Sequence, residues 1–239
     1  MKIALGSKEF KNNMVLNNLH VIKNSMKEAK EKNCELICFG EAFLQGFDSL
    51  NWNYEHDLQV AFSIDSPLMN EIKLLTKEMG IDLLLGYIEK EETDIYSSCI
   101  LISKADVIYN YRRISKGWKE VCKTNEHYKE GYIVKNFKYK DKTFLISLCG
   151  DLWDYPDMFK LSEGILIWPV YINYSIYEWE TKELYEYIKH SSTIANEIIF
   201  INSLSKNPDS FGGAYYFKNG KIEKELPLGN DGLLLIELN

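Results

Sequence analysis

Cys149 closes an apolar run, Thr143 to Leu148, and is followed at once by Gly150 and Asp151. The run reads as a buried strand, so the thiol falls at its carboxyl end, the edge of an open α/β sheet where ligands bind. A second apolar run, Leu36 to Phe39, ends in Gly40-Glu41, and a third, Val107 to Arg113, leads into a segment holding Lys116 and Lys119. A thiol, a carboxylate and an ammonium at three strand ends are the groups that acyl transfer through a thioester requires. Free cysteine is a weak nucleophile at neutral pH until a base takes its proton. Glu41 is the available base, a lysine beside both groups would hold first the thiolate and then the oxyanion, and the Gly150 N–H would supply a second oxyanion donor. Such a site uses neither histidine nor metal. Each group also has an ordinary role: a cysteine at a strand end packs as a small core residue, a glutamate after glycine caps or solvates, and a loop lysine faces water.

The elements that must carry these groups alternate strand and helix, which predicts a layered α/β fold. After a first strand, Lys2 to Gly6, the residues Val15, Leu19, Ile22, Met26 and Ala29 recur at helical spacing, with Asn12 or Asn13 as cap. The strand Leu36–Phe39 follows, then a loop through Gly46, Asp48 and Trp52 to a helix over Pro67–Met79. Strands are predicted at Asp82–Tyr87, Tyr96–Ile102 and Val107–Arg113, then an ordered loop from Ser115 to Gly131. Beyond Cys149 the pattern predicts a short helix at Asp157–Leu161, a strand at Ile165–Trp168, a helix over Trp179–Ala195 and a strand at Ile198–Asn202. Asn219-Gly220 between Gly213–Phe217 and Lys221–Glu225 is a hairpin signal, and Leu233–Leu238 is a last strand. Without a linker, a repeat or a low-complexity segment, residues 1–239 read as one domain.

Composition narrows the function classes. Apolar residues make up 46% and charged residues 26%, ordinary globular usage, and a net charge of −7 disfavours nucleic acid and anionic membranes as partners. No apolar run has the length of a membrane span, and the amino terminus runs straight into a strand-like segment, so a cytoplasmic protein without a signal peptide is expected. Five scattered cysteines read as free thiols, the four isolated histidines indicate no metal site, and no cofactor motif is present. Arg112 and Arg113 are the only arginines, so any arginine clamp must come from them.

Phe39-Gly40-Glu41-Ala42-Phe43, Tyr111-Arg112-Arg113, Glu126 to Gly131 and Leu148-Cys149-Gly150-Asp151 resemble successive landmarks of the nitrilase (carbon–nitrogen hydrolase) superfamily. Trp168-Pro169, Asn202, Gly212-Gly213-Ala214 and Asn219-Gly220 continue the resemblance in order. It implies a single-domain four-layer αββα sandwich whose catalytic set is a glutamate base, a lysine, a cysteine nucleophile and usually a second glutamate. Glu41 and Cys149 match the base and nucleophile, and Glu126 the second glutamate. The lysine position of most members is occupied here by Arg113. Members with a short intervening segment place the lysine about eight positions before the second glutamate. Lys119 lies seven before Glu126, Lys116 ten and Arg113 thirteen, which ranks Lys119 first, Lys116 second and Arg113 third. Where many members carry an arginine four positions after the cysteine, this chain has Trp153. An apolar anchor at that place fits a neutral amide better than a carboxylate-bearing one.

The resemblance thus implies hydrolysis of a small linear amide through a thioester on Cys149, with Glu41 as base, Lys119 and Gly150 holding the oxyanion, Glu126 orienting Lys119 and Trp153 against the substrate. It also implies a homodimer formed through the helical layer near the site. Nitrile hydrolysis, acyl transfer to an amine, and a non-catalytic or thiol-sensing scaffold stay open.

Overall fold

The computed structural model describes residues 1–238. The chain runs β1 (Lys2–Ser7), α1 (Val15–Glu31), β2 (Leu36–Cys38), α2 (Tyr54–Val60), α3 (Pro67–Met79), β3 (Asp82–Glu91), β4 (Asp94–Ser103) and β5 (Asp106–Arg112). It continues through β6 (Phe137–Tyr139), β7 (Lys142–Ile146), α4 (Asp151–Asp154), β8 (Leu161–Val170), α5 (Ile176–Glu178), α6 (Leu184–Ser191) and β9 (Ala195–Asn202). The last elements are β10 (Leu204–Lys206), β11 (Asp209–Phe211), β12 (Ala214–Lys218), β13 (Lys221–Leu226) and β14 (Gly232–Glu237).

Side chains alternate across a strand, and here both faces are apolar, so each sheet must be covered twice. Ile3, Leu5, Leu36, Cys38, Leu84 and Leu101 share one core with Ile146, Ile167 and Ile199 of the second sheet. The residues between them, Ala4, Ile37, Leu83, Leu85 and Ile100, pack instead against Ile22 and Met26 of α1 and Ile72 of α3. On the far side of the second sheet, Trp179 and Tyr187 lie against Phe200 with ring centroids 5.5 and 5.8 Å away. The result is the expected αββα sandwich. Its two six-stranded sheets have the orders β14-β1-β2-β3-β4-β5 and β13-β12-β9-β8-β7-β6. β1, β2 and β3 are parallel, as are β7, β8 and β9. Both sets therefore end their parallel strands with loops free to meet.

Several local expectations are corrected. Helix α1 begins after Met14 without a side-chain cap. Asn12 is used elsewhere, accepting the Asp48 N–H at 3.1 Å, and Asn13 sits at φ 60°. The helix predicted over Trp179–Ala195 starts earlier, at Ile176 behind a Ser175–Glu178 capping box, and ends at Ser191. It carries a π-turn over Trp179–Glu183, which adds a residue to the turn that seats the buried Trp179. The short helix expected near Asp157–Leu161 is a 3-10 helix over Pro156–Phe159, and it is preceded, directly after the thiol, by α4. Proline at 156 has no N–H to continue α4. Helix α2 and the β10–β11 ribbon carry too few periodic apolar residues to be foreseen.

One glycine shapes the first strand end. A Cβ on Gly86 of β3 would lie 2.3 Å from the Gly40 carbonyl oxygen, 2.6 Å from Ala42 N and 2.8 Å from Glu41 Cα. The bare backbone of β3 is what lets the Glu41 turn lie flat on the sheet. Gly86→Ala should cost about 1–3 kcal/mol in urea unfolding, because backbone rather than a movable side chain meets the new methyl. An unchanged midpoint would refute this close packing.

Candidate active site

Both chemically loaded strand ends bend sharply. Ala42, beside Glu41, has φ 49°, and Cys149 has φ 40°, a left-handed conformation that costs a non-glycine residue energy and recurs at functional turns. The Cys149 N–H donates to Pro169 O at 3.0 Å and its thiol contacts Tyr171 O at 3.6 Å, so β8 anchors the turn. Cys149 is half-buried. Burial raises its thiol to about 11; Arg113 opposes the rise, while Glu41 and Asp151 add to it. The resting sulfur is therefore a protonated thiol, and nucleophilic chemistry here needs a base.

The spacing predicts Lys119 beside Glu41, and Arg113 occupies that place instead. Glu41 is fully buried and Arg113 is 3% exposed. The Arg113 Nη1 donates to Glu41 Oε1 at 2.9 Å and Oε2 at 3.2 Å, Ser97 Oγ donates to Oε1 at 2.7 Å, and Arg113 Nε donates to Ser115 Oγ at 2.7 Å. Burial acts to lower the guanidinium's affinity for its proton, and the acidic groups that face it, Glu41 foremost, more than reverse that. Such a pair is held by mutual compensation: removing one partner strands a buried charge, at about 3–5 kcal/mol.

Arg113 Nη2 has no hydrogen-bond partner among the described residues. Two glycines leave room around it: a Cβ would come within 2.8 Å of Nη2 at Gly150 and within 3.0 Å at Gly117. The Gly150 N–H, at the start of α4, likewise has no backbone or side-chain acceptor. Nη2 thus lies against Gly150, the residue that follows the thiol, and both groups keep donors unpaired, the kind of donor that an oxyanion needs.

The remaining predicted residues lie elsewhere or play other local parts. Lys119 Nζ ion-pairs with Glu130 at 2.6 Å and also donates to the Tyr128 carbonyl, tying the 115–131 loop to itself. Lys116 and Glu126 are exposed, and the charge that Glu126 meets is that of Lys129. Trp153 stacks on His190 of α6 with centroids 4.1 Å apart and meets Tyr187 edge-on at 5.0 Å. Sequence reasoning missed Ser97, Ser115, Asp151, Tyr174 and Tyr187; the last two are phenols within electrostatic reach of the thiol. Asp151 stood in the Cys149 run, and its position after the nucleophile was the available signal. A separate cavity of about 830 Å³, lined by Lys30, Lys77, Asp82, Lys104 and Tyr139, opens at the amino ends of β2, β3 and β7, away from Cys149. No group of three or more potential metal-binding side chains occurs among the described residues, and no helix there is long and apolar enough to cross a membrane.

Comparison with known proteins bears on the family and the fold. A family model described as carbon–nitrogen hydrolase matches residues 3–146, which takes in Glu41 and Arg113 and stops three residues short of the thiol. An arylacetonitrilase from Hypocrea virens is 31% identical over 96 residues, covering 37% of this chain and 29% of that protein. A cyanide hydratase from Botryotinia fuckeliana is 30% identical over 97 residues, covering 37% and 26%. The chain thus matches less than a third of the length of these relatives. Among solved structures, an amidase from Nesterenkonia sp. AN1 carrying acrylamide on its active-site cysteine superposes with a TM-score of 0.81. It is 14% identical and is matched over 100% of this chain and 93% of its own. Glutamine-dependent NAD+ synthetase from Acinetobacter baumannii superposes at 0.78 with 16% identity, over 98% of this chain and 44% of its own.

The charges around Cys149 set its reactivity with pH. Alkylation by iodoacetamide should climb steeply from neutral pH with a midpoint near 11. Glu41→Gln removes a negative charge that raises the thiol and should move the midpoint to lower pH; a midpoint that stays or rises would show that the carboxylate does not face the sulfur.

Proposed function

Because this chain belongs to the carbon–nitrogen hydrolase family, we propose that it hydrolyses a small linear carboxamide through a thioester on Cys149. Cys149 attacks the carbonyl carbon as Glu41 takes the thiol proton. Arg113 Nη2 and the Gly150 N–H hold the oxyanion, in the role the spacing gave to Lys119. Glu41 returns the proton to nitrogen, the carbon–nitrogen bond breaks, and ammonia or an amine departs. Water then attacks the thioester, Glu41 takes its proton and passes it to the departing sulfur, and the carboxylic acid leaves. The observation that carries this reading is the pair of unpartnered donors beside a thiol whose proton needs a base.

Arginine suits the oxyanion role here because its fork bonds Glu41 through one nitrogen and leaves another for substrate. Trp153, stacked on His190, gives the neighbourhood an aromatic rather than cationic surface, which favours neutral amides over acidic ones. The arylacetonitrilase and cyanide hydratase relatives favour a second reading, attack of the same thiol on a nitrile carbon. A homodimer through the helical layer is also proposed: Trp153, Tyr155, Tyr177 and Tyr185 are exposed there.

Ammonia release from a panel of neutral amides, acidic amides and nitriles tests the reading, with Cys149→Ala as control. We expect turnover of neutral amides that the control lacks. Turnover confined to nitriles would select the second reading, and a folded, alkylatable protein without turnover on any of them would refute hydrolysis. Arg113→Met should lower kcat about 100- to 1,000-fold, as loss of an oxyanion donor does, whereas Lys119→Met should stay within about threefold. The reverse order would return the role to Lys119.

A further inference from the structure

Asp151 is fully buried, and among the described residues no salt bridge or hydrogen bond joins it to a cation. Its two oxygens accept four hydrogen bonds that are distributed with a clear logic. Oδ1 takes the N–H groups of Ile114 at 3.1 Å and Ser115 at 2.8 Å. Oδ2 takes the Tyr111 hydroxyl at 2.6 Å and the Leu148 N–H at 2.8 Å. Tyr111 precedes Arg113 and Ile114 and Ser115 follow it, so the carboxylate grips the chain on both sides of the guanidinium. Leu148 precedes Cys149, so the same carboxylate also grips the turn that presents the sulfur. β5 and β7 belong to different sheets, and backbone hydrogen bonding within either sheet cannot set one strand end against the other.

We propose that Asp151 is a positioning residue that sets Arg113 and Cys149 in register across the two sheets, so that Nη2 and the thiol address one carbonyl group. The proposal rests on the reading of Arg113 Nη2 and the Gly150 N–H as carbonyl-oxygen donors. An amide cannot replace this carboxylate: asparagine keeps one acceptor oxygen and turns an NH2 toward groups that are themselves donors. Unpaired buried N–H groups would let the 113–115 segment drift, and small displacements of a reacting group cost large factors in rate.

Two neutral probes with the same leaving group test this in the intact protein without requiring a known substrate. Iodoacetamide carries a carbonyl oxygen for the donors to hold, and ethyl iodide carries none. In each case the thiolate sulfur bonds to carbon and iodide leaves. The readout is the ratio of the two alkylation rate constants at Cys149, each divided by its value with a free small thiol. Wild type should show an amide-directed enhancement of about tenfold or more, and Asp151→Asn should lose it. Reaction of Asp151→Asn with ethyl iodide should hold steady or rise, because a negative charge near the thiolate has gone. A folded Asp151→Asn that keeps the enhancement overturns the positioning role and leaves the donor reading intact. A wild type without enhancement, unaltered in Arg113→Met, overturns the donor reading and this proposal with it. A parallel fall with both probes overturns positioning in favour of an effect on thiol ionisation. If Asp151→Asn does not fold, Tyr111→Phe removes one donor of the four and should lower the enhancement about threefold. An unchanged enhancement in that variant overturns the proposal.

Discussion

The Glu41–Arg113 ion pair is the constraint around which the site is arranged. Neither charge has appreciable contact with water, so each is tolerable only while the other stays in place. That requirement extends outward. Ser97 shares the Glu41 oxygen that Arg113 contacts, Ser115 restrains the guanidinium through Nε, and Gly86 gives the Glu41 turn the clearance to reach its partner. A carboxylate immobilised in this way cannot swing away from the guanidinium. The arrangement exchanges some stability for a fixed direction of approach.

Arginine changes what the cationic position offers. An ammonium is a compact point charge, whereas a guanidinium is a planar fork whose separate nitrogens can serve separate partners. Here the division is visible, with Nε on Ser115, Nη1 on Glu41 and Nη2 unclaimed between Gly117 and Gly150. The larger group fits because both neighbours on that side lack a Cβ. The lysines downstream are consequently free for structural duty, and Lys119 uses its charge to fasten Glu130 and the Tyr128 carbonyl within the 115–131 loop.

The thiol's surroundings follow from the same economy of charge. One guanidinium faces three acidic groups, Glu41, Cys149 and Asp151, and burial favours the neutral forms of Cys149 and Asp151. Cys149 keeps its proton, since Glu41 has the guanidinium as direct partner and Asp151 has a full complement of hydrogen-bond donors. Burial also raises the Asp151 carboxyl, against the pull of Arg113 and the donors around it.

Local chemistry along the chain was enough to read the layered fold and the two strand ends at Glu41 and Cys149. Both lie where a short apolar run stops at or just before a glycine, and that signal is contained within about ten residues. The cationic partner was not legible. Spacing ranked Lys119 above Arg113, but proximity to Glu41 depends on how β5 leaves the first sheet, and Ile114 and Ser115 are held by Asp151, a group 37 and 36 positions away in the chain. Glu126 and Trp153 were likewise placed by the resemblance, while the exposure of Glu126 and the stacking of Trp153 on His190 are set by a loop path and by the packing of α6. Sequence alone determined which side chains could do chemistry at the strand ends. Which of them meet was decided by the docking of two sheets, because contacts between strand ends of different sheets have no periodicity along the chain.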